Sequence, residues 1–319
     1  MAMQSPLRSA LLAAARSPRL EKAASGTRLT RGVVDRFVAG ETEEQAVATA
    51  RDILGSGRYV TIDHLGEDTT DAAQANATVS AYLSLLSALA PLAGESAAGG
   101  PRPVEVSLKL SALGQLLGPD GDRIALGNAH KICAAAEEAG VWVTVDAEDH
   151  TTTDSTLSIV RELRSDFPSL GTVLQAYLKR TEADCADLAG PSSRTRLCKG
   201  AYAEPATVAH QGKAVDDAYV RCLEVLMRGE GYPMVATHDP AMIEAALRLA
   251  GEAGRGQDEY ELQMLYGVRD TEQLRLTGAG RHLRVYLPYG TQWYGYFMRR
   301  LAEKPANLAL MLRALTSKK

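Results

Sequence analysis

The sequence predicts an α/β fold, a distorted (β/α)8 TIM-type barrel with short N-terminal helices. Two observations predict it. Eight short β-rich runs alternate with amphipathic helical stretches along 319 residues, which favours a closed parallel barrel over an open sheet. Each run also carries a polar side chain at or near its end, where barrel enzymes place their chemistry.

The predicted strands are rich in Val, Ile, Leu, Thr and Tyr. They span residues 59–63, 104–110, 141–147, 172–177, 194–199, 234–238, 260–265 and 283–287. The polar residues at their ends are Asp63, Lys109, Asp146, Gln175, Lys199, His238, Gln263 and Tyr286. Apolar residues recur at helical spacing between the runs, for example in 71–92, 124–139, 155–163, 215–227 and 240–250. Asp239 before Pro240 predicts a helix start, because Asp caps helices and Pro suits the first helical position.

The domain prediction has two parts. Residues 1–55 form a helical extension, in which Leu7, Leu11 and Leu12 recur at helical spacing. The Arg-, Ser- and Ala-rich start of this segment leaves a transit peptide as an alternative. Residues 56–319 form one barrel domain.

Composition excludes several classes of protein. The chain is 45% hydrophobic and 23% charged, and its net charge of −4 gives no reason to expect nucleic acid as a partner. We expect no segment long and apolar enough to span a bilayer. Four cysteines without a CxxC pair, and six scattered histidines, predict no metal site. Rossmann, P-loop, HExxH and GxSxG motifs are also missing from the sequence.

A basic, aromatic segment follows the last predicted strand. Tyr296, Arg299, Arg300 and Asn307 are spaced to share one helical face. Two adjacent arginines can present a fork to a carboxylate. From these residues alone, a solvated helix with an ordinary Arg299–Glu303 pair is equally open.

Seven segments together resemble the proline dehydrogenase family, most closely its monofunctional bacterial members. They are SLKLSALG (107–114), VDAED (145–149), QAYLKRT (175–181), RLCKGAY (196–202), ATHD (236–239), YELQMLYGVR (260–269) and VYLPYGTQWYGYFMRRLAEKPAN (285–307). They occur in family order, about one per predicted strand. The resemblance implies a barrel that binds FAD noncovalently at the strand ends.

The resemblance also implies residue roles. Lys109, Arg299 and Arg300 should clamp the carboxylate of proline, with Tyr286, Tyr296 and Leu265 around its ring. Asp146, Arg196 and Tyr202 match residues of the reaction site. The residues that match flavin contacts are Ala147, Gln175, Arg196, Lys199, Gly200, Ala201, Thr237 and His238. Glu67 should pair with Arg299 as a closing gate.

Some of these residues have structural alternatives. Asp146 could be a partner of Lys109 across neighbouring strands, His238 a helix cap, and Lys199 a solvated lysine at a strand end.

The function that the resemblance implies is oxidation of L-proline to Δ1-pyrroline-5-carboxylate by hydride transfer to FAD. Electrons should then pass to a membrane quinone, and the product to a separate pyrroline-5-carboxylate dehydrogenase. We therefore expect a cytoplasmic protein that is peripheral at the inner face of the membrane. Two other functions stay open: a non-catalytic flavin-binding or proline-sensing barrel, and a flavin barrel of the methylenetetrahydrofolate reductase type.

Overall fold

The computed structural model describes residue 34 and residues 36–94 and 100–303, with the backbone alone for residues 299–303. The strands are β1 (Tyr59–His64), β2 (Val104–Leu108), β3 (Trp142–Val145), β4 (Gly171–Gln175), β5 (Arg194–Cys198), β6 (Tyr232–Ala236), β7 (Glu261–Leu265) and β8 (Leu283–Tyr289). The helices are α1 (Glu43–Gly55), α2 (Ala72–Ala93), α3 (Gly121–Glu138), α4 (Thr153–Leu163), α5 (Thr181–Asp187), α6 (Lys213–Arg228), α7 (Pro240–Glu252), α8 (Asp270–Gly278) and α9 (Trp293–Glu303).

The strands form a closed parallel barrel in the order β1 to β8. The barrel closes where β8 pairs with β1, in a register that runs from Tyr59 opposite Arg284 to His64 opposite Tyr289. This confirms the predicted barrel, and every predicted strand is present with its ends within two residues. The helices predicted around Leu7, Leu11 and Leu12 lie outside the described residues. Because most strands end earlier than predicted, several polar side chains lie in the loops just beyond the barrel.

The first residues of the helices follow from local capping. Thr42 and Gln45 form a capping box at the start of α1, and Asp71 accepts the backbone N–H of Gln74 at the start of α2. Asp239 caps α7, with Pro240 in its first turn, as the sequence predicts. The predicted boundary at residue 56 falls between α1 and β1, and the division into two domains stays a prediction.

The hydrophobic core lies between the strands and the surrounding helices. Outward-facing strand residues such as Val60, Val106 and Leu262 are buried there against helix residues such as Leu85 and Leu223. The inside of the barrel is different, because it is filled largely by polar and charged side chains. Its buried members include Thr61, Glu105, Ser107, Arg194, Arg196, Glu261, Gln263 and Arg284.

Helix α2 corrects one expectation from the sequence. It is long and apolar enough to cross a membrane, by length and composition alone. Its buried side packs against the barrel, where the Tyr82 hydroxyl donates to the carbonyl of Ser107 at 2.5 Å. In this structure α2 is therefore a helix of the barrel's outer layer.

Arg284 joins three strands of the barrel. Its Nε donates to Glu261 on β7 at 2.7 Å, and its Nη1 donates to the carbonyl of Val60 on β1 at 3.1 Å. Its Nη2 reaches the carbonyl of Arg102, which precedes β2, at 2.8 Å. Arg284 and Glu261 are both fully buried, so neither group can regain water if its partner is lost.

We predict that Arg284→Met lowers the free energy of unfolding by about 3–5 kcal/mol, because it leaves the Glu261 carboxylate buried and unpaired. Urea unfolding measures this change. The matched control is Arg248→Met, which removes an exposed pair with Glu252 and should cost about 1 kcal/mol or less. Adding Glu261→Gln should recover part of the loss. Equal effects of Arg284→Met and the control would contradict the prediction.

Candidate active site

An ion-paired lysine lies at the C-terminal mouth of the barrel. Lys109 follows β2, and its Nζ donates to both carboxylate oxygens of Asp63 on β1, at 3.0 and 2.8 Å. Asp146, which follows β3, lies 4.0 Å from the same ammonium group. Burial alone would lower the pKa of Lys109, but the charges of Asp63, Asp146 and Glu67 raise it above its ordinary value. Lys109 therefore stays a cation in this buried position.

Arg196 on β5 occupies the centre of the site. Its Nη1 donates to Asp146 at 2.7 Å and its Nη2 to Glu105 at 2.6 Å. Its Nε donates to the side-chain oxygen of Gln263 at 2.5 Å, and Nη1 also contacts Ser107 at 3.2 Å. Burial would lower the pKa of Arg196, but Glu105 and Asp146 raise it. The guanidinium is thus held on several sides before any ligand binds.

A tyrosine, Tyr286, borders these charges. The Tyr286 hydroxyl on β8 donates to Asp146 at 2.7 Å, and the Tyr286 ring centroid lies 5.4 Å from the guanidinium carbon of Arg196. Burial and the Asp146 charge raise the pKa of Tyr286 well above its ordinary value, so its hydroxyl stays a donor. Tyr286 also packs against the aromatic cluster of α9, to which Tyr296 belongs.

Chemically, the arrangement offers a fixed cation, a buried guanidinium and the ring of a tyrosine at one end of the barrel. The carboxylate of a small ligand would have to compete with Asp63 for Lys109. Among the described residues, no group of three or more His, Cys, Asp or Glu could hold a metal ion.

Comparison with known proteins identifies the family. A family model described as proline dehydrogenase matches residues 46–313. The chain belongs to the proline dehydrogenase family. It is 38% identical to "Proline dehydrogenase 2" of Bacillus subtilis (strain 168), over 92% of either chain. It is 39% identical to "Proline dehydrogenase" of Deinococcus radiodurans, over 97% of either chain.

A solved structure supports the fold. Proline utilization A (PutA) from Bdellovibrio bacteriovorus, inactivated by N-propargylglycine, superposes with a TM-score of 0.79 at 24% identity, over 90% of this chain and 34% of that chain. The resemblance read from the sequence is confirmed. The chain is an oxidoreductase that oxidises proline, and its family is flavin-dependent. This identification replaces the methylenetetrahydrofolate reductase alternative and the non-catalytic barrel.

The structure brings together four of the nine residues that the family resemblance assigns to substrate and reaction. Lys109, Asp146, Arg196 and Tyr286 form one connected group. Asp146 lies 4.0 Å from Lys109, as the alternative of a structural ion pair between them expects. Asp63 is the closer partner of Lys109, at 2.8 Å. Both Asp146 oxygens are already engaged, one by Arg196 and the other by Tyr286.

The loop after β5 contains the predicted flavin contacts Lys199, Gly200 and Ala201, followed by Tyr202. Lys199 donates to Asp216 at 2.5 Å and to Asp239 at 2.7 Å. Gly200 has φ +113°, and a Cβ there would lie 2.3 Å from the ring of Tyr177. The loop therefore requires glycine at this position, and its backbone is bare of a side chain there.

The predicted flavin contacts after β6, Thr237 and His238, are hydrogen-bonded to β7. The Thr237 N–H donates to the carbonyl of Gln263 at 3.1 Å, and His238 Nε2 accepts the backbone N–H of Leu265 at 2.9 Å. His238 is therefore a neutral imidazole with its proton on Nδ1. The capping alternative for His238 is wrong, because Asp239 caps α7.

The remaining predicted contacts lie near β3 and β4. Ala147 is half-buried in the loop after β3. Gln175 is buried at the end of β4, and its Nε2 donates to the carbonyl of Glu148 at 2.7 Å.

The two arginines of the predicted clamp are on α9. The structure describes the backbone of Arg299 and Arg300, and their side chains lie outside the described part of the chain. The carboxylate clamp and the Glu67–Arg299 gate therefore stay predictions. Glu67 itself is half-buried after β1, close enough to Lys109 for its charge to act on that group.

Several residues of the site were not assigned from the sequence. Glu105, Ser107 and Gln263 hold Arg196, and the Arg269 guanidinium donates to the carbonyl of His238 at 2.6 Å. The sequence contains a signal that Glu105 and Ser107 face the inside of the barrel. In VEVSLK, polar and apolar residues alternate, although a strand of a parallel sheet covered on both faces usually reads as continuously apolar.

Glu148 is a further residue that sequence reasoning missed. Its carboxyl accepts the backbone N–H of Ser111 at 3.1 Å and is 2.5 Å from the Ser111 hydroxyl. It thereby joins the loop after β3 to the turn that follows Lys109. Burial raises the pKa of Glu148 to about 7, against the lowering effect of the Ser111 hydrogen bonds.

We predict a pH-dependent stability difference between the wild type and Glu148→Gln. The folded protein keeps a proton on Glu148 that the unfolded chain releases above the ordinary glutamate pKa of 4.5, so wild-type stability falls as pH rises from 4.5 to about 7. The neutral variant avoids this loss and should gain up to about 3 kcal/mol relative to wild type across that interval. Urea unfolding at pH 4.5, 6 and 8 measures it.

The control is Glu138→Gln, on the exposed side of α3. Its free energy of unfolding should change with pH in the same way as that of the wild type. A difference between Glu148→Gln and wild type that stays constant with pH would contradict the raised pKa of Glu148.

Proposed function

We propose that this chain converts L-proline to Δ1-pyrroline-5-carboxylate with FAD as its cofactor. The observation that carries the proposal is the connected group of Lys109, Asp146, Arg196 and Tyr286 at the barrel mouth, in which Asp146 lies 4.0 Å from Lys109 and contacts both Arg196 and Tyr286. It places a buried cation and a fixed guanidinium beside the ring of a tyrosine.

The residues of the mouth fit a flavin. Gly200 allows the loop after β5 its positive φ beside the Tyr177 ring, and the hydrogen bond between Leu265 and His238 fixes the loop after β6. FAD would be held by the loop residues that match the family's flavin contacts: Ala147, Gln175, Arg196, Lys199, Gly200, Ala201, Thr237 and His238. When bound, FAD supplies the acceptor for a hydride. A buried guanidinium such as Arg196 stabilises the negative charge that reduction brings.

The substrate would be held at both ends. Lys109, Arg299 and Arg300 bind the carboxylate, and Tyr286, Tyr296 and Leu265 pack around the pyrrolidine ring. These contacts fix the orientation of the ring and leave the reacting carbon free. The binding free energy therefore serves to align that carbon with the hydride acceptor.

The reaction breaks the C5–H bond of proline, whose ring nitrogen is deprotonated. The nitrogen lone pair forms the new C=N bond as the hydride leaves with both electrons of the C–H bond, and the resulting iminium then releases its N–H proton to solvent to give the imine. Asp146 acts here by holding Arg196 and Tyr286, since both of its oxygens are engaged. The aromatic cluster of α9 and the closed barrel exclude water from the reacting carbon.

The fate of the products in this proposal is the one that the family resemblance implies. Electrons pass to a membrane quinone, and the protein works in the cytoplasm, peripheral at the inner face of the membrane. The imine product passes to a separate pyrroline-5-carboxylate dehydrogenase. Pairing of Glu67 with Arg299 closes the site during turnover.

We favour proline over hydroxyproline as substrate. The hydroxyls of Tyr286 and Tyr296 border the ring site, and a tyrosine hydroxyl against C4 leaves little space for a substrate hydroxyl.

We predict that the purified protein has a flavin absorption spectrum that bleaches when L-proline is added without oxygen. Hydroxyproline and NADH should leave the spectrum largely unchanged. This measurement tests cofactor, substrate and hydride transfer together. A protein that stays colourless and inert after FAD is supplied would remove the proposal.

We predict that Arg299→Met and Arg300→Met each raise the KM for proline about 10- to 100-fold, as expected when one charged hydrogen bond to the carboxylate is lost. Steady-state kinetics with bound flavin quantified separates this effect from cofactor loss. Arg275→Met, at an exposed arginine paired with Glu272 on α8, is the matched control. Unchanged KM values in both variants would refute the clamp.

A further inference from the structure

Glu105 is a fully buried carboxylate in the middle of the barrel, behind the site. Its Oε1 accepts from Arg196 Nη2 at 2.6 Å and from the Thr61 hydroxyl at 2.7 Å. Its Oε2 forms an ion pair with Arg194 on the same strand as Arg196. One carboxylate therefore bridges the arginine of the site and an arginine deeper in the barrel.

The environment of Arg194 keeps this bridge in place. The guanidinium carbon of Arg194 lies 3.6 Å from the ring centroid of Trp142, and its Nη1 donates to the carbonyl of Ser169 at 3.1 Å. Arg194 is 3% exposed. Neither guanidinium can turn to solvent to compensate for a lost partner.

The balance of charge depends on Glu105. Arg196 is countered on its mouth side by Asp146 and on its inner side by Glu105. Burial would raise the pKa of Glu105, but Arg194, Arg284 and Arg196 lower it below its usual range, so Glu105 is an anion. Neutralising it leaves one uncompensated positive charge shared by Arg194 and Arg196, in a region where water cannot screen it.

We propose that Glu105 is a positioning residue for proline oxidation: it fixes Arg196 and, by balancing its charge, sets the reduction potential of the bound flavin. The inference rests on the proposed function, in which Arg196 lies beside the flavin. Positive charge near a flavin favours the reduced, more negative form. Glu105 holds the potential below the value that one uncompensated positive charge on Arg194 and Arg196 would give.

The test compares the flavin midpoint potential of the wild type with that of three variants, by anaerobic reductive titration against a reference dye. Glu105→Gln, which keeps the shape of the side chain, should shift the equilibrium at least about tenfold toward reduced flavin, which is ~30 mV for a two-electron couple. Arg194→Met should shift it in the opposite direction, because Glu105 then faces Arg196 alone. The double variant Glu105→Gln/Arg194→Met removes one charge of each sign and should return close to wild type.

The control is Asp184→Asn on α5, which removes a buried carboxylate from its ion pair with the exposed Arg180, outside the strands. It should leave the potential unchanged, while its effect on stability measures what loss of a buried, ion-paired carboxylate does by itself. A second readout compares the effects on kcat and KM. Glu105→Gln should change kcat for flavin reduction by proline and leave the KM for proline within about twofold.

The outcomes separate the two proposals. The flavin spectra of the wild type and of Glu105→Gln could both bleach with proline while the two proteins have the same flavin midpoint potential. That result would overturn this inference and leave the proposed function standing. A wild-type protein without flavin would overturn both. If Glu105→Gln does not fold, the flavin midpoint potential of Arg194→Met tests the inference. An unchanged or raised potential in Arg194→Met would overturn it.

Discussion

The structure depends on the ion pairs that fill the inside of the barrel. Glu105 joins Arg196 to Arg194, and Glu261 joins Arg284 to the same interior through Gln263. Water is excluded there, so each charge needs a partner and several hydrogen bonds to be tolerated. Because those partners come from different strands, the same bonds fix the strands against one another and hold the site side chains in place.

Preorganisation follows from this construction. Arg196 is bound by groups from β2, β3 and β7, and its direction is set before substrate or cofactor arrives. Rotating it would break several buried hydrogen bonds at once, so Arg196 keeps its orientation during the reaction. In the proposed function, the loops after β5 and β6 bind the flavin around this fixed point. The hydrogen bond from Leu265 to His238 and the packing of Gly200 against Tyr177 hold these two loops.

The sequence predicts much of this structure. Strand order, the strand ends, and the meeting of Lys109, Asp146 and Tyr286 follow from alternation and from the rule that barrel chemistry lies at the strand C-termini. The partners inside the barrel could not be predicted. The Glu105–Arg196 bond spans the barrel from β2 to β5, and such a contact depends on barrel radius and stagger, which no local pattern encodes.

The charges of the mouth bear on how a carboxylate could bind there. Lys109 and Arg196 face Asp63 and Asp146, so these four groups together carry no net charge. A substrate carboxylate that enters this balanced set must compete with Asp63 for Lys109 and gains little from it alone. In the proposed clamp, Arg299 and Arg300 on α9 would supply the further cations. The barrel would then orient the substrate, while the helix that follows the last strand would supply most of the free energy of carboxylate binding.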